Sequence, residues 1–174
     1  LEDLGLKPTS RIVIGVSGGT DSMALAGLCA NWSDDATNNS IAVIIDHGLR
    51  AESGTQAILT QIELEKLNLK SKIIKIGNTK PTGNIQNWAR KQRRIILFQK
   101  CLELSANLIL GHHYDDQAET LFMRITRGSA LDGLSGMKQI NSWNGIFIIR
   151  PLLSYRKKQI KNYVRNKKII YFED

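Results

Sequence analysis

The 174-residue sequence predicts an α/β fold: a mainly parallel, doubly wound sheet with helices on both faces. Three observations lead there. Apolar runs of strand length alternate with longer stretches of helical periodicity along the whole chain. The second run, Ile41-Ala-Val-Ile-Ile45, is continuously apolar, as a parallel strand covered on both faces should be. The residues that packing explains least gather just after three strands, where such a sheet binds ligands.

Leu1 to Ser10 is a short polar lead-in, and Ile12 to Val16 reads as strand one. The next helix, Thr20 to Asn31, is apolar on most sides and is expected to be well buried. Trp32 to Ser40 reads as a polar loop. Strand two ends in Asp46-His47-Gly48-Leu49-Arg50, and a helical stretch from Glu52 to Leu69 leads to strand three, Lys72 to Ile76. After a turn at Asn78 to Gly83, a long helix runs from Asn84 to Ala106. Its Ile85, Trp88, Ala89, Ile95, Ile96 and Leu102 recur at helical spacing, and Asn84 is placed to cap it. Strand four, Leu108 to Leu110, ends at Gly111-His112-His113, and a helix from Tyr114 to Arg127 follows. Arg127 to Asn144 is glycine-rich and poorly periodic. It reads as a loop able to close over substrate, or as an ordinary surface loop. Ile146 to Ile149 is strand five, Tyr155 to Lys168 a basic helix, and Ile169 to Phe172 a last short strand.

Hydrophobic content of 42% and charged content of 23% fit one soluble globular domain over residues 1–174. A net charge of +8 points to a polyanionic partner, nucleic acid before membrane. Cys29 and Cys101 form neither a disulfide framework nor a CxxC metal pair, which suits a reduced, cytoplasmic setting. No signal pattern and no stretch long enough to span a bilayer is present. The chain opens on Leu1 and stops just after an apolar run, so it is expected to be the N-terminal part of a longer protein.

Ser17-Gly18-Gly19-Thr20-Asp21-Ser22 lies between an apolar strand and a helix. Adjacent glycines permit a tight turn and close approach of a ligand to the main chain. The N–H groups of the first helical turn then point at that ligand, and the helix dipole favours an anion. Ser17, Thr20 and Ser22 add hydroxyls. The chemistry is that of a phosphate-binding turn; a Ser/Gly turn with a helix cap is the plain alternative. The Gly-Lys-Ser/Thr ending of a Walker A loop is missing. In the second strand end, His47 and Arg50 can reach phosphate or nucleotide, or be ordinary loop charges. Arg90 and Arg93 lie one turn apart and share a helix face, as a wall over the site or as a solvated basic face.

In Gly111-His112-His113-Tyr114-Asp115-Asp116-Gln-Ala-Glu119-Thr120, a helix starting near His112 puts His112, Asp116 and Glu119 on one face. Three readings stand: carboxylates suited to the helix dipole, a zinc or iron site, or an acidic pocket that binds an amine and accepts its proton.

SGGTDS resembles the pyrophosphate loop, SGGxDS, of the PP-loop ATP pyrophosphatase superfamily. Together with DHGLR, NIQNWARKQR, GHHYDDQAET and RGSALDGLSGM-to-RPLL, in order and at similar spacing, it resembles the tRNA(Ile)-lysidine synthase branch. The match covers Ile12 to Asp174; Arg94 stands where that branch often carries Tyr. The resemblance implies an adenine-nucleotide-hydrolase-like fold and a C–N bond-forming ligase that uses ATP and Mg²⁺. ATP would adenylate the wobble cytidine in the CAU anticodon of a minor tRNA(Ile), and the ε-amine of free L-lysine would then displace AMP.

Under this resemblance Ser17, Gly18, Gly19, Thr20, Asp21, Ser22, His47 and Arg50 hold ATP, with Asp21 on Mg²⁺ or bracing the turn. Catalysis would fall to Asp116, Glu119, Arg90, His112 and Asp21, and substrate binding to His112, Asp115, Asp116, Glu119 and Arg127. Arg156, Lys157, Lys158, Lys161, Arg165, Lys167 and Lys168 would help grip tRNA. A homodimer is compatible with this reading. The rivals are a PP-loop tRNA thiolase, an amidating ligase, and a nucleotide- or RNA-binding module without catalysis. The first usually needs catalytic cysteines or a cluster, and Cys29 and Cys101 lie within predicted helices away from the expected site.

Overall fold

The computed structural model describes residues 1–32, 39–77, 83–126 and 136–173. Its elements in chain order are β1 (Ile12–Val16), α1 (Thr20–Trp32), β2 (Ser40–Asp46), α2 (Ser53–Lys66), β3 (Ser71–Lys75), α3 (Ile85–Leu104) and β4 (Asn107–Leu110). They continue with α4 (Tyr114–Thr126), β5 (Ile140–Trp143), β6 (Ile146–Ile149) and α5 (Lys157–Asn166). Short 3₁₀ turns lie at Glu2–Leu4 and Pro151–Ser154.

The sheet order is β3-β2-β1-β4-β6-β5, with β5 antiparallel to β6 and every other pairing parallel. The chain enters at β1 and steps outward through β2 to β3. It then crosses back to β4 on the other side of β1. The order therefore reverses between β1 and β4, and the crevice beyond their carboxyl ends is where an open α/β sheet binds ligands.

All five residues of β1 are buried. Alternation sends Ile12, Ile14 and Val16 to one face, against Leu25 of α1, Leu64 of α2 and Val164 of α5. Val13 points the other way, against Leu97, Phe98 and Cys101 of α3. Helices thus cover both faces, as the apolar runs require. Each such side chain stabilises the fold by roughly 1.5–3 kcal/mol over its exposed state. Asn84 caps α3, its Oδ1 accepting from the Asn87 N–H at 3.0 Å. α5 is shorter than the expected basic helix because Tyr155 and Arg156 are extended, with Arg156 as the N-cap, and Lys168 leaves the helical region at φ 54°.

Two expectations change. Residues 140–143, read as loop, form the edge strand β5. It folds back onto β6 through Asn144-Gly145, whose φ values of 47° and 79° are those of a type I′ hairpin turn. Ile169 to Phe172, read as a strand, makes only one bridge, between Gly19 and Phe172. Lys168 turns the chain with φ 54°, Ile169 enters the core, and the Ile170 N–H goes to the Glu63 carboxylate at 3.1 Å. Side chains and the loop after β1 hold this segment, so it has no ladder to join. The rest of the expected 128–144 loop, through residue 135, lies outside the described residues, as does Arg127.

Candidate active site

The loop after β1 turns at Gly18, which has φ 88°. A Cβ there would lie 2.5 Å from Thr60 Oγ1, so the position suits glycine on both backbone and steric grounds. Ser22 braces the turn: its Oγ accepts from the Ser17 N–H at 3.1 Å and donates to the Gly19 carbonyl at 3.0 Å. That carbonyl also accepts the first helical bond, from the Met23 N–H. The N–H groups of Thr20, Asp21 and Ser22 therefore form the open first turn of α1. From the far side, the Phe172 N–H donates to the Gly18 carbonyl at 2.9 Å.

A cavity of about 400 Å³ opens over this turn. Ser17, Gly19, Thr20, Asp21 and Ser22 form its floor, Leu110, Gly111 and His112 one wall, and Arg93, Lys157, Lys161, Phe172 and Glu173 the rest. Gly111 allows the close approach of β4's exit to α1, since a Cβ would meet the Asp21 carbonyl oxygen at 3.1 Å. A second cavity of about 250 Å³ sits at the end of β2, lined by His47, Arg50 and Gln56 among others. Ser17 and Arg93 line both, so the two cavities adjoin along these residues.

Asp21 is the junction of the site. Its Oδ2 accepts from Lys157 Nζ at 2.5 Å, while its Oδ1 is enclosed and has no hydrogen-bond partner. Buried His113 brings Nε2 to 3.6 Å from that oxygen and Nδ1 to 3.6 Å from Asp115. Asp115 Oδ2 accepts the Lys157 main-chain N–H at 2.7 Å, and Asp116 Oδ2 accepts the His113 N–H at 2.8 Å. Lys157 thus touches the phosphate loop with its side chain and the start of α4 with its backbone.

Burial pushes the His112 imidazole down to about 4, with Arg150, Arg93 and His113 adding to the effect against the opposing Asp116. His47 is lowered too, first by burial and then by Arg93, while Asp46 opposes. His47 also meets the edge of the Trp88 ring, with centroids 6.2 Å apart.

The expected residues divide. Ser17, Gly19, Thr20, Asp21, Ser22 and His112 line the first cavity and His47 and Arg50 the second; Gly18 supports the turn from behind. Asp115 and Asp116 stand at the start of α4 with one oxygen each already engaged. Glu119 is exposed, and neither it nor Arg90 lines these cavities. Arg93, one turn from Arg90, occupies the wall instead and donates to the Gly15 carbonyl at 3.3 Å. His113 and Lys157 also emerge only in three dimensions; the charge pattern placed Lys157 on a nucleic-acid face. Among the described residues no cluster of three His, Cys, Asp or Glu could hold a metal by itself.

A family model described as the PP-loop domain matches residues 1–174. The chain belongs to the PP-loop family. Among its relatives, this PP-loop chain is 38% identical over 170 residues to the tRNA(Ile)-lysidine synthase of Wolbachia sp. subsp. Brugia malayi, covering 95% of this chain and 39% of that protein. The tRNA(Ile)-lysidine synthase of Bradyrhizobium diazoefficiens is 37% identical over 172 residues, covering 97% of this chain and 48% of its own. The chain thus spans less than half the length of these relatives. The PP-loop fold is shared with the U34-tRNA thiolase NcsA from Methanococcus maripaludis, solved with its 4Fe–4S cluster. The TM-score is 0.80 at 22% identity, over 99% of this chain and 62% of that one.

Proposed function

We propose that this PP-loop domain carries the catalytic centre of a tRNA(Ile)-lysidine synthase. The observation that carries the reading is the junction at Asp21, where His113 and Lys157 tie an anion-binding helix start to an acidic helix start. In the first step the cytidine 2-oxygen attacks the α-phosphorus of ATP. The bond to the bridging oxygen breaks and pyrophosphate leaves. The open N–H groups of Thr20, Asp21 and Ser22 and the Ser17 hydroxyl are placed to hold the departing phosphates. Arg93 and Lys157 bring positive charge to the same wall. The cavity at the β2 end, lined by Ile44, Ile45 and Ala57 as well as His47 and Arg50, suits the nucleoside part of ATP.

In the second step the lysine ε-amine attacks ring carbon 2, loses a proton, and AMP leaves with the former 2-oxygen. The amine's ordinary pKa of about 10.4 means that it arrives protonated, and a carboxylate at the start of α4 is suited to attract it and take the proton. Asp116 is best placed, with Glu119 further along the helix; Asp115 is tied to α5. The residues fit Mg²⁺ brought in with the phosphates: Asp21 Oδ1 is an enclosed carboxylate oxygen without a partner, and Mg²⁺ needs only one or two such ligands beside phosphate. Bound there, it would offset phosphate charge.

The partner is RNA by charge. On α5 and the two residues after it, Ile160 and Val164 are buried while Lys158, Arg165, Lys167 and Lys168 face solvent, a basic strip beside the cleft. The reading implies a cytoplasmic enzyme, and among the described residues no helix is long and apolar enough to cross a membrane. Thiolation is disfavoured by the cysteines. Cys29 and Cys101 are both buried, and burial raises each thiol to about 12, far from the reactive thiolate state.

The test is incubation with ATP, lysine and minor tRNA(Ile), followed by mass analysis of the anticodon nucleosides. A lysine adduct on the wobble cytidine, dependent on ATP, is expected. An unmodified cytidine, or sulfur in place of lysine, would reject the proposal.

A further inference from the structure

Glu63 is a buried carboxylate near the end of α2 and stands in none of the strand-end motifs. Its Oε2 pairs with Lys66, one turn on, at 2.9 Å. Its Oε1 leaves the helix and accepts the Ile170 N–H at 3.1 Å, from 107 positions away. A carboxylate withdrawn from water is costly unless donors meet it, and an apolar side chain would serve packing as well.

The segment that this bond holds explains the carboxylate. Residues 169–173 run past the loop after β1 and are fixed at three points. Ile169 enters the core beside Gly27 of α1, where a Cβ would come within 2.6 Å of its Cδ1. Ile170 is tied to Glu63. Phe172 gives its N–H to the Gly18 carbonyl at 2.9 Å, and a Cβ on Gly18 would lie 3.3 Å from the Phe172 ring. Phe172 and Glu173 then line the phosphate-side cavity, where Glu173 pairs with Lys161 at 3.3 Å.

α2 also backs that turn directly. Thr60 lies one turn before Glu63 on the same helix face. Its Oγ1 is the atom that a Cβ on Gly18 would meet first, and it is committed to the Gln56 carbonyl at 2.7 Å. The Gly18 turn is thus held between α2 and residues 169–173, and Glu63 ties these two supports to each other.

We infer that Glu63 is a positioning residue for the phosphate loop: by fixing Ile170 it sets where the Phe172 N–H meets the Gly18 carbonyl, and so the aim of the donors at the start of α1. This rests on the reading of that turn as the site for the phosphates of ATP. The amine side of the site, at the start of α4, is held instead by His113, Lys157 and Tyr155. Loss of Glu63 is therefore felt by ATP and not by lysine.

The experiment uses the full-length protein. Glu63→Met removes the acceptor and keeps the length of the side chain. Titration calorimetry with ATP and Mg²⁺, which needs neither tRNA nor lysine, should show affinity about tenfold weaker. In turnover with tRNA, the KM for ATP should rise by a similar factor while the KM for lysine stays put. Glu63→Gln keeps an acceptor oxygen and should restore most of the affinity. Phe172→Pro deletes the donor at the far end of the path, and combining it with Glu63→Met should add little, because both break one chain of contacts. Glu63→Asp shortens the reach and gives a milder loss, and it replaces Glu63→Met if that variant does not fold. Unchanged ATP affinity in these Glu63 variants would overturn the role. So would an equal weakening for ATP and lysine, the mark of a helix that has merely lost stability. If the unaltered protein bound no ATP, the phosphate-site reading would itself fail, and the positioning role with it.

Discussion

α1 and α4 begin at the same edge of the sheet, after β1 and β4, in opposite chemical states. At α1 the turn is built from glycines and hydroxyls, and the first-turn N–H groups are left open. At α4 the leading donors are engaged and two carboxylates crowd the first turn. The His113 N–H goes to the Asp116 carboxylate and the Tyr114 N–H to the Tyr155 carbonyl. One backbone device thus yields two sites. Open donors beside a basic wall receive an anion, whereas donors closed by carboxylates leave surplus negative charge that favours a cation. A reaction joining a triphosphate to an amine needs one of each, and Asp21, Lys157 and His113 hold the two together.

The comparison breaks hardest at Gly18. Gly18→Val puts a β-branched residue at φ 88° and a Cβ 2.5 Å from Thr60 Oγ1, whose hydroxyl already donates to the Gln56 carbonyl. Stability should fall by about 1–3 kcal/mol in urea denaturation. ATP-dependent pyrophosphate release should fall on the order of 1000-fold as the donors lose their aim. If the variant released pyrophosphate at the normal rate, the α1 turn could not be the phosphate half.

Asp116→Asn sharpens the other side. The amide oxygen still accepts the His113 N–H, so the start of α4 keeps its shape and loses only charge. Lysine transfer should drop about 100-fold while pyrophosphate release persists. Single-turnover measurement of both steps decides the matter. Parallel loss of the two would mean that Asp116 serves the helix rather than the amine.

Much of this was legible in the residues. Alternation of apolar runs sufficed for the parallel sheet, because strands buried on both faces leave little room for polar residues. The three strand-end motifs marked the cleft for the same reason: packing does not ask for Ser-Gly-Gly or His-His. What escaped depends on distance along the chain. Lys157 reaches Asp21 from 136 positions away, and no local pattern separates it from its basic neighbours. Arg93 and Arg90 share a helix face, but only the packing of α3 on β1 decides which one reaches the wall. The hairpin did carry a local sign. Asn144-Gly145 between Ile140-Asn-Ser-Trp143 and Ile146-Phe-Ile-Ile149 is a strong two-residue turn signal, masked by the glycine-rich stretch before it.

The smallest effect tests the ground between the two helix starts, where His112 stands. Burial, then Arg150 of the β6 end, Arg93 of α3 and adjacent His113 hold its folded pKa near 4, against the pull of Asp116; the ordinary value is 6.5. Between these values the unfolded chain binds a proton that the folded chain refuses. The contribution of His112 is therefore fully present above pH 6.5 and is lost as pH falls towards 4. In that window the slope is at most about 1.4 kcal/mol per pH unit. His112→Gln removes the titration. Urea denaturation at pH 7 and pH 5 should therefore show the unaltered protein losing more stability than the variant. Equal losses would mean that His112 is solvated and charges freely. The two helix starts would then be separated by water rather than by a neutral, enclosed imidazole.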